Sequence, residues 1–196
     1  MAQPQPEEVA LLQLSNAQQT VLLQMARDAI VQYLADGRIP QYQLDDPALA
    51  QLAGVFVTLR SNMKEGLGLR GCIGRVEAER PLLRIVPEMA VKAATSDPRF
   101  PPVAAEELPL LHIEISVLSP LQRLENPEAL EIGKHGLLIE GHGRRGLLLP
   151  EVPLTHGWDR QAFLEGICQK AGLPPNAWHD PKVQLYMFTT LNFEEE

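Results

Sequence analysis

The stretch Gly66 to Val76, GLGLRGCIGRV, limits what this chain can become more than any other part of it. Glycines spaced through an extended run mark a bulge or a close backbone approach, because only a residue without Cβ lets a ligand or another strand come so near. Gly71 and Gly74 are therefore positions where a ligand could meet the backbone. In a strand, the spacing of Arg70 and Cys72 puts both on one face, with Leu69 and Ile73 on the other. A thiol beside a guanidinium sits in a field that favours thiolate, which makes Cys72 a candidate nucleophile and Arg70 a candidate anion ligand. The plainer reading is a glycine-rich edge strand whose cysteine fills a small apolar pocket, since free cysteine is among the most buried residue types.

The chain around this stretch alternates helical and extended patterns. Ser15-Asn16-Ala17-Gln18 is a capping box, followed by Leu22, Met25, Ala26, Ala29, Ile30, Tyr33 and Leu34 at helical spacing as far as Gly37. Gly54 to Arg60 reads as a strand, and the loop from Ser61 to Gly68 should return the chain antiparallel beside it. Pro81 opens a second helix that Ser96-Asp97-Pro98 stops, and a proline-bearing loop runs from Arg99 to Pro109. Leu111 to Leu118 alternates cleanly, with Leu111, Ile113, Ile115 and Val117 on one face and His112, Glu114 and Ser116 on the other. Gly136 to Gly141 and Gly146 to Leu149 form a hairpin closed by His142-Gly143-Arg144-Arg145, which Pro150 and Pro153 end. Asp159 caps a helix carrying Phe163, Leu164, Ile167, Cys168 and Ala171, and Val183 to Phe193 is one last strand. Strands and helices without βαβ alternation predict an α+β fold with a largely antiparallel sheet flanked by helices.

Composition narrows the function. With 17 basic and 25 acidic side chains the net charge is −8, which disfavours general attraction to nucleic-acid backbones. Arg144 and Arg145, the only adjacent basic pair, read as a solvated hairpin tip. Two cysteines are too few for a disulfide framework or a cysteine metal cage, so a reducing compartment is expected. The N-terminal MAQPQPEE has no basic, apolar leader and no stretch is long enough to span a membrane, which points to a cytoplasmic protein. The five histidines show no helical i,i+4 pair and no HxH, so no metal is expected. Gly66, Gly68 and Gly71 spell G-x-G-x-x-G but precede no helix, and no cofactor is predicted.

The hexapeptide LRGCIG resembles the signature of the AMMECR domain family, known in bacteria and archaea as AmmeMemoRadiSam system protein A. The resemblance extends to Phe56 to Leu59, Asp97-Pro98-Arg99-Phe100, Ile113 to Ser119, Ile132 to Gly136, Leu148 to Val152, Gly157-Trp158-Asp159, Phe163-Leu164 and Lys170 to Leu173. Glu151 departs from it, standing where glutamine is more usual. The Pro-, Gln- and Glu-rich start reads as a flexible tail over residues 1–14, and a single domain is expected over 15–196. By the resemblance, that domain would have a larger lobe holding both termini, a smaller lobe from the middle of the chain, and a cleft receiving the signature. The resemblance also implies association with a Memo-like protein and a radical SAM protein, and so a step in an unidentified modification pathway.

Two functional readings follow. In the first, Cys72 does covalent or redox chemistry on a small anionic or nucleotide-like substrate. Arg70 and Arg99 bind the anion, while Glu114 and His135 act as acid-base or orienting groups. Glu114 is expected to neutralise Arg70 or Arg99, because a carboxylate on a half-buried strand otherwise meets a steep desolvation cost. In the second, the same residues form a non-catalytic module for a nucleotide, RNA or peptide, or the chain is a scaffold in a protein complex.

Overall fold

The computed structural model describes residues 13–61 and 68–196. The expected tail, up to residue 12, and residues 62–67 of the turn after the first strand lie outside the described residues. In chain order the elements are α1 (Asn16–Asp36), β1 (Gly54–Ser61), β2 (Gly68–Arg75), α2 (Leu82–Thr95), β3 (Leu111–Leu118) and β4 (Gln122–Arg123). They continue with β5 (Gly136–Gly141), β6 (Arg144–Leu148), α3 (Glu151–His156), α4 (Arg160–Lys170), β7 (Gln184–Phe188) and β8 (Thr190–Glu194). Short 3-10 helices lie at Ala105–Leu110, Pro127–Ala129 and Ala177–His179. The fold is α+β with two antiparallel four-stranded sheets, in orders β2-β1-β3-β8 and β4-β7-β5-β6. It divides into two compact units, residues 13–118 with Leu191–Glu196, and Ser119–Thr190.

In the first unit α1 begins where the capping box predicts. Ser15 Oγ accepts the Gln18 amide, Gln18 returns its side-chain oxygen to the Ser15 amide, and Gly37 closes the helix with φ 76°. The alternation of β1 and β3 sends Val55, Val57 and Leu59, with Ile113, Ile115 and Val117, into one core with Leu22, Met25 and Ile30 of α1 and Ile85, Val86 and Met89 of α2. Each such aliphatic side chain contributes about 1.5–3 kcal/mol on leaving water. Thr58, Arg60, His112, Glu114 and Ser116 necessarily point to the other face.

The second unit has its own core of Leu130, Leu137, Ile139, Ile167 and Leu185 around fully buried Phe163 and Cys168. Asp159 Oδ1 accepts the Ala162 amide and starts α4, as its sequence position predicts. The hairpin loop is shorter than expected. His142 and Gly143, at φ 52° and 71°, make a two-residue turn of the I′ kind, which matches the twist of the strands. Arg144 and Arg145 are thereby strand residues, one donating to the Gly172 carbonyl and the other paired with Glu140.

Three further expectations are corrected by the structure. The final strand is two strands in two sheets, broken at Thr189. Its amide donates to Ser119 Oγ and its carbonyl accepts the Ser119 amide, so neither joins a ladder. Pro150 and Pro153 do not simply end the hairpin, because Glu151–His156 is helical and Gly157 closes it at φ 65°. The proline-bearing loop after Arg99 contains the 3-10 helix Ala105–Leu110.

Candidate functional site

The signature strand β2 lies antiparallel to β1, but its register slips once. Leu59 stands opposite Gly71 and Arg60 opposite Leu69, which leaves Arg70 as an extra, bulged residue. The bulge breaks the two-residue alternation read from the sequence. Leu69 joins Arg60 on the open face of the sheet, Ile73 packs toward the core, and Arg70 is re-aimed away from Cys72. Its guanidinium forms a two-pronged pair with Glu107, at 2.7 and 2.9 Å, and donates to the Pro101 and Pro102 carbonyls. With only 12% of its side chain exposed, Arg70 fastens the 101–107 loop to β2.

The two glycines serve close packing. A Cβ on Gly71 would sit 2.2 Å from the Ala93 carbonyl oxygen of α2, and one on Gly74 would lie 2.2 Å from the Phe56 ring. The first lets the helix approach the strand, and the second lets Phe56 cross it.

Cys72 faces outward and is half-buried. It heads a row across three strands, Cys72 opposite Thr58 and Thr58 opposite Glu114. The Thr58 hydroxyl donates to Cys72 Sγ at 3.2 Å. Arg60 and His112 form the adjacent row, with Glu194 of β8 at its end, 3.1 Å from His112 Nε2. Glu114 accepts from Arg60 Nε, contrary to the expected pairing with Arg70 or Arg99. The reason is register: Arg60 lies on the strand next to Glu114 and the same face, whereas Arg70 is turned away and Arg99 is committed elsewhere. Arg60 is held above the usual arginine value by that hydrogen bond, with Glu194 and Cys72 adding their fields.

Arg99 is bound to Asp97. The Asp97 carboxylate, 2% exposed, accepts from Arg99 Nε and Nη2 at 2.9 and 2.7 Å, from the Arg99 amide at 3.0 Å and from the Cys72 amide at 2.8 Å. Arg99 hydrogen bonds, outweighing burial, hold this carboxyl far below the ordinary range. Arg99 also reaches the Cys72 carbonyl at 3.4 Å, and its side chain stays 54% exposed. Asp97 thus clamps the backbone of the candidate nucleophile. The sequence carries its signal, an Asp-x-Arg within the helix stop, although by itself the pattern reads only as a terminator.

His135 belongs to the Ser119–Thr190 unit, where it is 5% exposed. Its Nδ1 accepts the Glu131 amide at 3.1 Å, which leaves the ring proton on Nε2. Burial, then the Lys134 charge, pushes its pKa down and keeps the imidazole neutral. Among the described residues, His112, Glu114 and Glu194 bring one ligand atom each within 4.8 Å of one another. Metal binding there would compete with the Arg60 pair. Also among the described residues, no helix is long and apolar enough to cross a membrane.

The AMMECR1 family model matches residues 23–193. Protein MK0488 of Methanopyrus kandleri is 45% identical over 182 residues, covering 89% of this chain and 87% of its own. Protein TK0174 of Thermococcus kodakarensis is 44% identical over 182 residues, covering 89% of each. The crystal structure of uncharacterized protein PH0010 from Pyrococcus horikoshii superposes with a TM-score of 0.82 at 41% identity, over 90% of both chains. A match spanning both units, from α1 to β8, at this identity leaves one conclusion: the chain belongs to the AMMECR1 family.

Proposed function

We propose that the open face of the β2-β1-β3-β8 sheet is a catalytic surface on which Cys72 acts as nucleophile toward a small anionic or nucleotide-like substrate. The observation that carries this reading is the setting of Cys72 Sγ. It is half-buried, receives the Thr58 hydroxyl at 3.2 Å, and lies within the fields of Arg60 and Arg99. The sulfur is thus open to a substrate arriving on the outer face, with a hydroxyl and cationic side chains nearby to orient it. The sulfur lone pair would form the new bond while a leaving group departs with its own electron pair. The exposed Arg99 guanidinium supplies the charge to hold an anionic substrate, and Glu114, across Thr58 in the same row, is the acid-base group.

Arg70 contributes to this surface by fixing the strand, Gly71 by letting α2 pack against its back, and Gly74 by letting Phe56 cross it. Partners of the Memo-like and radical SAM kinds belong to the same proposal and rest on the family resemblance alone. The test is a panel of small anions and nucleotides scored by thermal shift and by peptide mass spectrometry. A hit should lose its shift in Arg99→Gln and leave an adduct on Cys72 that Cys72→Ser cannot form. A hit that binds equally well to Cys72→Ser and never leaves an adduct would make the surface a binding module instead.

A further inference from the structure

The first unit has a concave surface on the opposite side of its sheet from Cys72. Arg84, Glu88 and Lys92 recur every fourth position along α2 and, with Arg80 just ahead of the helix, wall a groove of about 550 Å³, whose other side includes Ile39 and Gln41. Because α2 packs on the face carrying Val55, Val57 and Leu59, the sheet itself separates this groove from outward-facing Cys72. The charges do not cancel within it. Arg80 and Lys92 both rest on the single carboxylate of Glu88, and among the described residues Arg84 hydrogen-bonds the neutral side-chain oxygen of Gln41. Three cations against one carboxylate leave two positive charges on the walls of a chain whose net charge is −8.

Such a local reversal of sign in a concave site concentrates anions against the field of the rest of the molecule. A dianionic group matches the surplus. Guanidiniums suit the forked oxygens of phosphate, and the ammonium of Lys92 adds a point charge. The volume falls in the range of small-molecule sites, about 300–1,000 Å³, and Ile39 and Pro81 add an apolar surface to the polar wall. Burial works against the Glu88 carboxylate, yet Lys92, Arg80 and Arg75 together hold it below the ordinary range, so it stays charged and ties up two of the cations.

We propose that this groove binds a small phosphate-bearing ligand, with the phosphate on Arg84 and Lys92 and an apolar body against Ile39 and Pro81. The reading is independent of Cys72. Titration calorimetry on the full chain, at constant ionic strength, uses ADP, inorganic pyrophosphate and a glutamate-rich peptide as probes. ADP or pyrophosphate should bind saturably. Arg84→Gln and Lys92→Gln should each weaken binding by about tenfold or more, as expected for a lost charge-assisted hydrogen bond. Glu88→Gln should tighten it several-fold by releasing two cations, and Arg99→Gln and Cys72→Ser should leave it unchanged. Arg84, Glu88 and Lys92 lie on the outside of α2, and Lys92→Gln serves should Arg84→Gln fold poorly. The proposal is overturned if neither phosphate probe binds, if the α2 variants bind as tightly as the parent, or if affinity is lost in Arg99→Gln instead. Binding of the acidic peptide alone would equally overturn it, assigning the groove to a protein partner.

Discussion

Cys72 and Cys168 are the same side chain in two physical settings. Cys168 lies in α4, fully buried among Phe163, Leu164 and Ile167, where burial pushes its thiol pKa up. Cys72 lies on a strand whose helix-facing neighbours are glycine and isoleucine, and its sulfur looks outward and accepts the Thr58 hydroxyl. One thiol fills space. The other occupies a polar surface that the fold has taken trouble to hold in place, through Asp97 on its backbone and Arg70 at the adjacent bulge. The difference shows that residue type alone does not set the role of a cysteine; the face it is given and the groups across the strands do.

The largest expected effect is on reactivity. Alkylation of the folded protein, quantified site by site by peptide mass spectrometry, should modify Cys72 at least about a hundredfold faster than Cys168, whose access requires local unfolding. Denaturant should erase the gap. Equal rates in the folded state would end the contrast and remove the case for a nucleophile.

Next in size is Gly71→Ala. Its Cβ would have to displace the Ala93 carbonyl, so denaturant unfolding should show a loss of about 1–3 kcal/mol. Gly143→Ala offers a control of another kind, with no atom within 4 Å and strain only from its φ of 71°.

Acid should separate the two units. Burial, then Lys134, lowers the folded pKa of His135, so the unfolded chain binds that proton first. The contribution of His135 to stability is complete above the unfolded value of about 6.5 and drains as pH falls toward the folded value. Asp97 is also depressed, chiefly by Arg99, and its contribution is complete above about 3.9 and lost only below that. Urea midpoints measured against pH should thus fall in two windows. His135→Gln should flatten the upper one and Asp97→Asn the lower, the latter also costing roughly 1–3 kcal/mol at neutral pH because buried donors lose their acceptor.

The smallest effect is expected from Thr58→Val, which removes the hydroxyl from Cys72 Sγ. A stability change under about 1 kcal/mol, with several-fold slower alkylation of Cys72 and none at Cys168, would sharpen the comparison. An unchanged Cys72 rate would show that the hydroxyl has no part in it.

Much of the fold was legible before any coordinates. The Ser15 capping box, the stop at Ser96-Asp97-Pro98, the alternation of Leu111 to Leu118 and the Asp159 cap are signals carried by residues within one or two turns of each other. Local hydrogen bonding and side-chain period are enough to read them. The same holds for Cys168, whose place on an apolar helical stripe implies burial. The split of the last strand was not legible. Val183 to Phe193 has one continuous extended composition, and only the exchange of hydrogen bonds between Thr189 and Ser119 shows where the chain leaves one sheet for the other.

The candidate site divides in the same way. Sequence alone determined that Cys72 sits in a glycine-bearing strand beside β1, that Glu114 lies on the polar face of its own strand, and that the chain resembles one family throughout. Which charges meet was decided by tertiary structure. The bulge at Arg70 turned that guanidinium toward Glu107, register put Arg60 beside Glu114, and the end of α2 delivered Asp97 to the Cys72 amide. The physical reason is that an ion pair between strands depends on pairing register and on single-residue bulges. Both are settled by packing against α1 and α2 over the whole sheet, and no short window of sequence contains them.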